Sequence, residues 1–160
     1  MTNCLCKLFE RLVNVRLAYY LETNNKITPY QFGFRQHHST IDALNYLTTN
    51  IQNAFAKNEH VVAIFFDLEK AFDTTWRQGL INNLLNMGLT GNIVYFLKNF
   101  LLNRSFKVKI GNIFSDTYPL DQGIPQGSVL SGILFIIAIQ NIIKCFGSSV
   151  KYALYAEDLV

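Results

Sequence analysis

One hundred and sixty residues make one domain or a piece of one. Half of them are hydrophobic, enough to bury a substantial core and too many for a disordered chain. A formal charge of +3 does not by itself mark a nucleic-acid binder, and the longest apolar runs, Val61 to Phe66 and Ile133 to Ile139, are far too short to span a bilayer. The opening MTNCLCKLFERLV carries Lys7, Glu10 and Arg11 among its apolar residues, where a secretory leader needs an uninterrupted apolar core, so secretion is not expected. Cys4, Cys6 and Cys145 lack CxxC spacing and read as reduced, mostly buried thiols of an intracellular protein. His37, His38 and His60 do not fall at zinc-finger spacing from them.

Leu5, Leu8, Phe9, Leu12, Val13 and Leu17 recur at helical spacing, so a first amphipathic helix is expected from Asn3 to about Asn24. A loop with Pro29 and Gly33 follows, from Ile27 to His38. Ser39 or Thr40 then caps a second helix, with Asp42 in its first turn and Leu44, Leu47, Ile51 and Phe55 as its apolar face. Val61 to Phe66 is a continuous β-prone run and predicts a strand buried on both faces. Two helices follow, Trp76 to Met87 and Gly91 to Leu102, parted at Gly88, with Trp76 placed in the core. Phe106 to Ile110 alternates apolar and basic residues and predicts one strand; Asp116 to Leu120 gives a weaker one. A GIPQG turn leads into a long helix from about Ser128 to Cys145, and Val150 to Tyr155 is the last strand. The fold class is α/β (α+β), with helices packed on a sheet.

Four segments carry chemistry. In FFDLEKAFDTTW the apolar run delivers Asp67 to a strand end, where a rigidly held carboxylate suits a hard metal ion such as Mg²⁺. The same aspartate would serve equally as a helix N-cap. YAED puts Glu157 and Asp158 at a tight hairpin turn, or in a merely solvated acidic turn. Three carboxylates at neighbouring strand ends would repel one another unless divalent cations intervened. Two such ions ~4 Å apart serve phosphoryl transfer. In QGIPQGSVLSGILF, Gly123 and Gly127 let backbone approach a ligand just before a helix N-terminus; a loop-to-helix junction without ligand is the plainer alternative. In QFGFRQHHSTIDAL, Arg35 before a helix start reads either as a phosphate grip or as part of a polar loop.

In this order, the four segments resemble the reverse transcriptase domain of non-LTR retrotransposons, from Thr2 to Val160. QFGFR with the following ST and AL is similar to the family's second block, and DLEKAFDTTW to its first catalytic block. GIPQGSVLS is similar to its substrate-positioning block, and YAED stands where the family has YADD. NFLLNRSFKVKIGNIFS resembles jockey-type elements. The resemblance implies a right-hand polymerase palm with adjoining fingers helices, truncated at both ends. Residues 1–58 would supply fingers and palm helices, and residues 59–160 the palm core.

By position, the resemblance makes Asp67, Glu157 and Asp158 catalytic. With the Leu68 carbonyl they would ligate two Mg²⁺ ions, Mn²⁺ being a possible substitute. Phe72 would exclude the 2′-OH of a ribonucleotide, and Gln126 and Gly127 would meet the incoming nucleotide. Arg104 and Lys107, with Lys109, read either as following a nucleic-acid backbone alongside Arg35 or as a solvated strand edge. The partners implied are an RNA template, a DNA primer and deoxynucleoside triphosphates, with no membrane. The implied location is intracellular, in cytoplasm and nucleus where the element is active. Three departures stand out. Glu157 replaces the first aspartate of YADD, and Gly132 stands where many relatives have proline. The family's basic fingers hairpin and its thumb are expected outside Met1 to Val160, as is the partner strand of YAED, so the isolated chain is expected to be inactive.

Overall fold

The structure is a computed structural model that describes residues 4–147 and 149–160. The expected helix start at Asn3, and the Thr2 at which the resemblance begins, lie outside the described residues.

Helix α1 (Cys4–Thr23) buries Val13, Leu17 and Leu21, one stripe at helical spacing. Helix α2 (Thr40–Ala56) opens on a capping box: the Ser39 hydroxyl accepts from the Asp42 N–H, and the Asp42 carboxylate accepts from the Ser39 N–H. Helix α3 (Arg77–Asn86) and helix α4 (Asn92–Leu101) bury Leu80, Ile81 and Leu84, and Leu97 and Leu101. Between them Gly88 and Gly91 take φ of 89° and 72°, which lets the chain turn without a Cβ clash. Helix α5 (Ser131–Ile139) is apolar all round and lies at the centre of the core, as such a helix must. A 3₁₀ helix, Gln140–Cys145, carries it on, so the expected long helix changes pitch near its end. Asn83 of α3 donates to the carbonyls of Ile137 and Ala138, fastening α3 to α5.

Strands are short. β1 (Arg104–Phe106) pairs with β4 (Tyr118–Leu120), and β2 (Lys109–Ile110) with β3 (Ile113–Phe114). The single strand expected over Phe106 to Ile110 is thus broken in two. At the break Val108 bonds to Ser115 through both its N–H and its carbonyl, and the chain changes partner. β5 (Leu154–Tyr155) pairs with β6 (Asp158–Leu159). Here the sequence expectation needs correcting: the hairpin partner of YAED begins at Asp158, inside the chain, and Ala153 and Val160 extend the ladder by exchanging backbone bonds.

Among the described residues there is no continuous sheet but three two-stranded antiparallel ladders. The β5–β6 ladder is widened by single bridges, parallel from Gln31 to Leu154 and antiparallel from Phe66 to Leu159. The result is a four-track strip with the hairpin in its middle. The strand expected over Val61 to Phe66 is reduced to that one bridge. Instead of being buried on both faces it is exposed along its whole length, with Val62 at 85%. Two-sided burial needs a packed layer on each face, and α2 stands over Phe65 and Phe66 only across a hollow.

Three smaller expectations also change. Trp76 is 69% exposed and lies over Gly79, where a Cβ would meet its ring at 2.4 Å. All three cysteines are free and exposed, Cys4 and Cys6 because α1 first meets the core at Glu10. Helix α2 buries no residue, and Leu44 and Phe55 of its apolar face are open.

Candidate active site

The strip brings the two acidic segments together. Phe66 and Leu159 exchange both backbone hydrogen bonds, at 2.8 and 3.0 Å. Asp67 follows Phe66 and Asp158 precedes Leu159, so this one bridge brings the two acidic segments side by side. Both aspartates line one hollow of about 420 Å³ beneath α2, with Leu44, Leu47 and Tyr155. Ala156 and Glu157 form the two-residue turn between Tyr155 and Asp158. Ala156 has φ of 54°, the left-handed value that primed hairpin turns require at their first position. Glu157 is half-buried in the turn and does not line the Asp67–Asp158 hollow. Among the described residues no three His, Cys, Asp or Glu side chains gather as a metal-holding group. Leu68, one residue past Asp67, borders a separate hollow with Glu69, Trp76 and Phe135.

Phe72, Gln126 and Gly127 meet in a larger cavity of about 990 Å³, walled also by Phe34, Arg35 and Ser128. The Phe72 ring stacks on Phe135 with centroids 4.7 Å apart and meets Phe34 edge-on at 6.1 Å. The loop before Gln126 is locked to the turn after Asp67. Ile124 N–H donates to the Phe72 carbonyl at 2.7 Å and Gly123 N–H to the Thr75 carbonyl at 2.9 Å. A Cβ on Gly123 would meet Asp73 backbone at 2.6 Å, so glycine is needed there for space as well as for its φ of 79°. Gly127, at φ 81°, has nothing within 4 Å of where its Cβ would stand, which leaves its backbone open to a ligand. Gln126 Nε2 donates to the Asp73 carboxylate at 3.3 Å.

The basic residues divide. Arg35 is committed to the protein: its guanidinium holds both Glu22 oxygens, at 2.8 and 2.6 Å, and the carbonyls of Thr28 and Gln31. With its side chain 8% exposed it clamps the loop to α1 and offers little surface to a phosphate. That hydrogen bond from Arg35 is the main cause that holds the Glu22 carboxyl below its ordinary pKa. Arg104 donates to the Phe100 carbonyl at 2.7 Å and lies over the Phe100 ring; burial pulls its pKa down. Lys107 and Lys109 are exposed on the β1–β4 and β2–β3 region, Lys109 over Phe114 at 5.3 Å.

Two anchors escaped the sequence reading. Glu10, buried in α1, accepts from the Ser128 hydroxyl at 2.7 Å and the Val129 N–H at 2.9 Å, and so fixes the approach to α5. Arg77, buried at the start of α3, donates to the carbonyls of Leu120, Gln122 and Gly123 at 2.6 to 2.7 Å. Burial, then the neighbouring charge of Arg104, lowers its pKa. The one available signal was a lone acid or base inside an apolar helical stripe, which is a weak one.

The family profile described as Reverse transcriptase (RNA-dependent DNA polymerase) matches residues 1–160. The chain belongs to the reverse transcriptase family. This reverse transcriptase chain is 36% identical over 137 residues to the probable RNA-directed DNA polymerase from transposon BS of Drosophila melanogaster, covering 86% of the chain and 15% of that relative. It is 32% identical to the probable RNA-directed DNA polymerase from transposon X-element and 30% identical to the RNA-directed DNA polymerase from mobile element jockey, both of the same species. Those two matches cover 96% and 95% of the chain and 17% of each relative. The reverse transcriptase chain therefore spans about a sixth of the length of the curated relatives it matches. Among the described residues no helix is long and apolar enough to cross a membrane.

Proposed function

We propose that the chain is the catalytic centre of an RNA-directed DNA polymerase that extends a primer 3′-hydroxyl by nucleotidyl transfer. In this reading residues 1–58 are fingers and palm helices and residues 59–160 the palm core, working inside the cell on RNA template, DNA primer and deoxynucleoside triphosphates. The observation that supports it is the Phe66–Leu159 bridge, beside which Asp67 and Asp158 line one hollow.

The donor set fits a hard divalent cation. Two carboxylates lining one hollow repel each other when close, and oxygen anions are what Mg²⁺ or Mn²⁺ takes. Asp67 and Asp158 would hold the ions, with Glu157 and the Leu68 carbonyl as further oxygen donors. Bound there, two ions supply charge neutralisation of the transferring phosphate. The chain's own residues do the rest by positioning. Phe72, braced by Phe135, sets a wall that admits a deoxyribose and excludes a 2′-OH. Gln126 and the open backbone of Gly127 receive the nucleotide in the cavity that Phe72 walls. Arg104, Lys107 and Lys109 attract the nucleic-acid backbone. The primer oxygen bonds to the α-phosphorus as the bond to pyrophosphate breaks, and holding both groups in line removes much of the barrier.

One observation favours a second reading, a palm that binds nucleic acid without chemistry: Glu157 does not join the Asp67–Asp158 hollow. Mn²⁺ titration of the chain, followed by loss of the free-ion EPR signal, separates the two. Binding that disappears in both Asp67→Asn and Asp158→Asn supports the catalytic centre. Binding unchanged in both variants overturns it and leaves the second reading.

A further inference from the structure

We propose that Gln31 and Gly33 form a seat for the 155–158 turn and so set where the Asp158 carboxylate stands relative to Asp67. The inference rests on the metal-binding reading above and gives the QFGFR segment a role distinct from the phosphate grip expected of it. It names positioning residues, since neither touches the reacting groups.

The geometry is specific. Gln31 is 1% exposed, and its Oε1 accepts two backbone N–H groups, from Gly33 at 2.8 Å and from Ala156 at 3.2 Å. Ala156 is the turn residue held at φ 54°, a conformation that a residue with a Cβ adopts only against resistance. A hydrogen bond to its N–H from a buried acceptor holds it there. Gly33 removes the steric obstacle: a Cβ at that position would lie 2.2 Å from the Ala156 nitrogen and 2.9 Å from its Cα. Next to this contact the backbone is laced, with Phe32 N–H donating to the Leu154 carbonyl and Leu154 N–H to the Tyr30 carbonyl, both at 2.8 Å.

The seat is itself immobilised. Arg35 donates to the carbonyls of Thr28 and Gln31 and is held by Glu22 of α1. An unbroken set of bonds thus runs from α1 through the loop to the turn, two residues from Asp158. Groups that orient a metal ligand in this way typically matter about tenfold or more in metal affinity.

Three measurements on the full chain test the proposal. In hydrogen exchange the Ala156 amide is expected to be protected; exchange at the rate of an open turn would overturn the seat without any mutation. In Mn²⁺ titration, Gln31→Met, which keeps volume but loses the acceptor, is expected to weaken binding about tenfold while the thermal transition stays cooperative. Gly33→Ala is expected to weaken it in the same direction. Binding unchanged in Gln31→Met and Gly33→Ala but lost in Asp158→Asn would overturn the seat and leave the metal site standing. Binding unchanged in all three variants would bring down the seat and the metal site together.

Discussion

At the scale of single residues, what the structure adds is which charged groups are already spoken for. Arg35, read in the sequence as a phosphate grip or a polar-loop residue, is bound on four sides; Glu10, in the sequence only a charge interrupting an apolar stretch, is a buried acceptor. The Glu22–Arg35 pair has a pH signature. Because the folded pKa of Glu22 lies below the ordinary value of 4.5, its contribution to stability is fully present above that value and is lost as pH falls through the lower folded pKa. Denaturant unfolding of the wild-type chain and of Glu22→Gln between neutrality and acid pH checks this. The two stabilities are expected to differ at neutral pH and to converge in acid. Parallel curves would show that the pair contributes nothing through Glu22 ionisation.

At the scale of elements, most function-bearing pieces are set by how loops are fastened to helices. Arg77 is the clearest case, tying the start of α3 to the end of β4 and to the loop that leads to Gln126. Removing the guanidinium takes a donor from three carbonyls, one of them at a buried glycine. Each buried orphan costs about 1–3 kcal/mol. Arg77→Met is therefore expected to lower unfolding free energy by about 2–4 kcal/mol in urea melts. Arg77→Lys should recover only part of it, because an ammonium cannot reproduce the planar fork. A loss under ~0.5 kcal/mol in Arg77→Met, the range of an ordinary surface change, would show the clamp to be dispensable. Local chemistry also explains which elements were legible in the sequence. The Ser39–Asp42 box, the glycines around α4 and the Tyr155–Asp158 turn follow from rules that act within a few residues. Glu10 and Ser128 are 118 positions apart, and no local pattern announces such a pair. The segments around Asp67 and Asp158 could be read, since each follows a β-prone run, Val61 to Phe66 and Val150 to Tyr155. The break in the expected 106–110 strand could not, because it depends on which partner each half finds.

At the scale of the whole molecule, the main departure is the open face of Val61 to Phe66. A sequence states that such a run wants burial; it does not state what will cover it. Val62, Ile64 and Phe65 stand 85%, 59% and 68% exposed, along a run whose pairing begins only at Phe66. An exposed apolar edge of this kind recruits further strands. Sedimentation velocity on the isolated chain is expected to show association that grows with concentration, and Val62→Lys with Ile64→Lys to suppress it. A wild-type chain that stays monomeric over the same range would mean that this edge is not adhesive. The run also leads straight into Asp67, so whatever covers it steadies one half of the proposed catalytic pair.

The strip has a parity. Along each of its tracks successive side chains alternate between faces, so whether Asp67 and Asp158 can share a face depends on an even count as much as on distance. Inserting a single residue between Phe66 and Asp67, or between Asp158 and Leu159, turns one aspartate to the far side while every other side chain keeps its chemistry. Inserting two restores the face but displaces the carboxylate along its track by roughly 7 Å. Neither change requires the loss of an acidic residue. A copy of this sequence can thus retain every aspartate and glutamate and still have its carboxylates out of step.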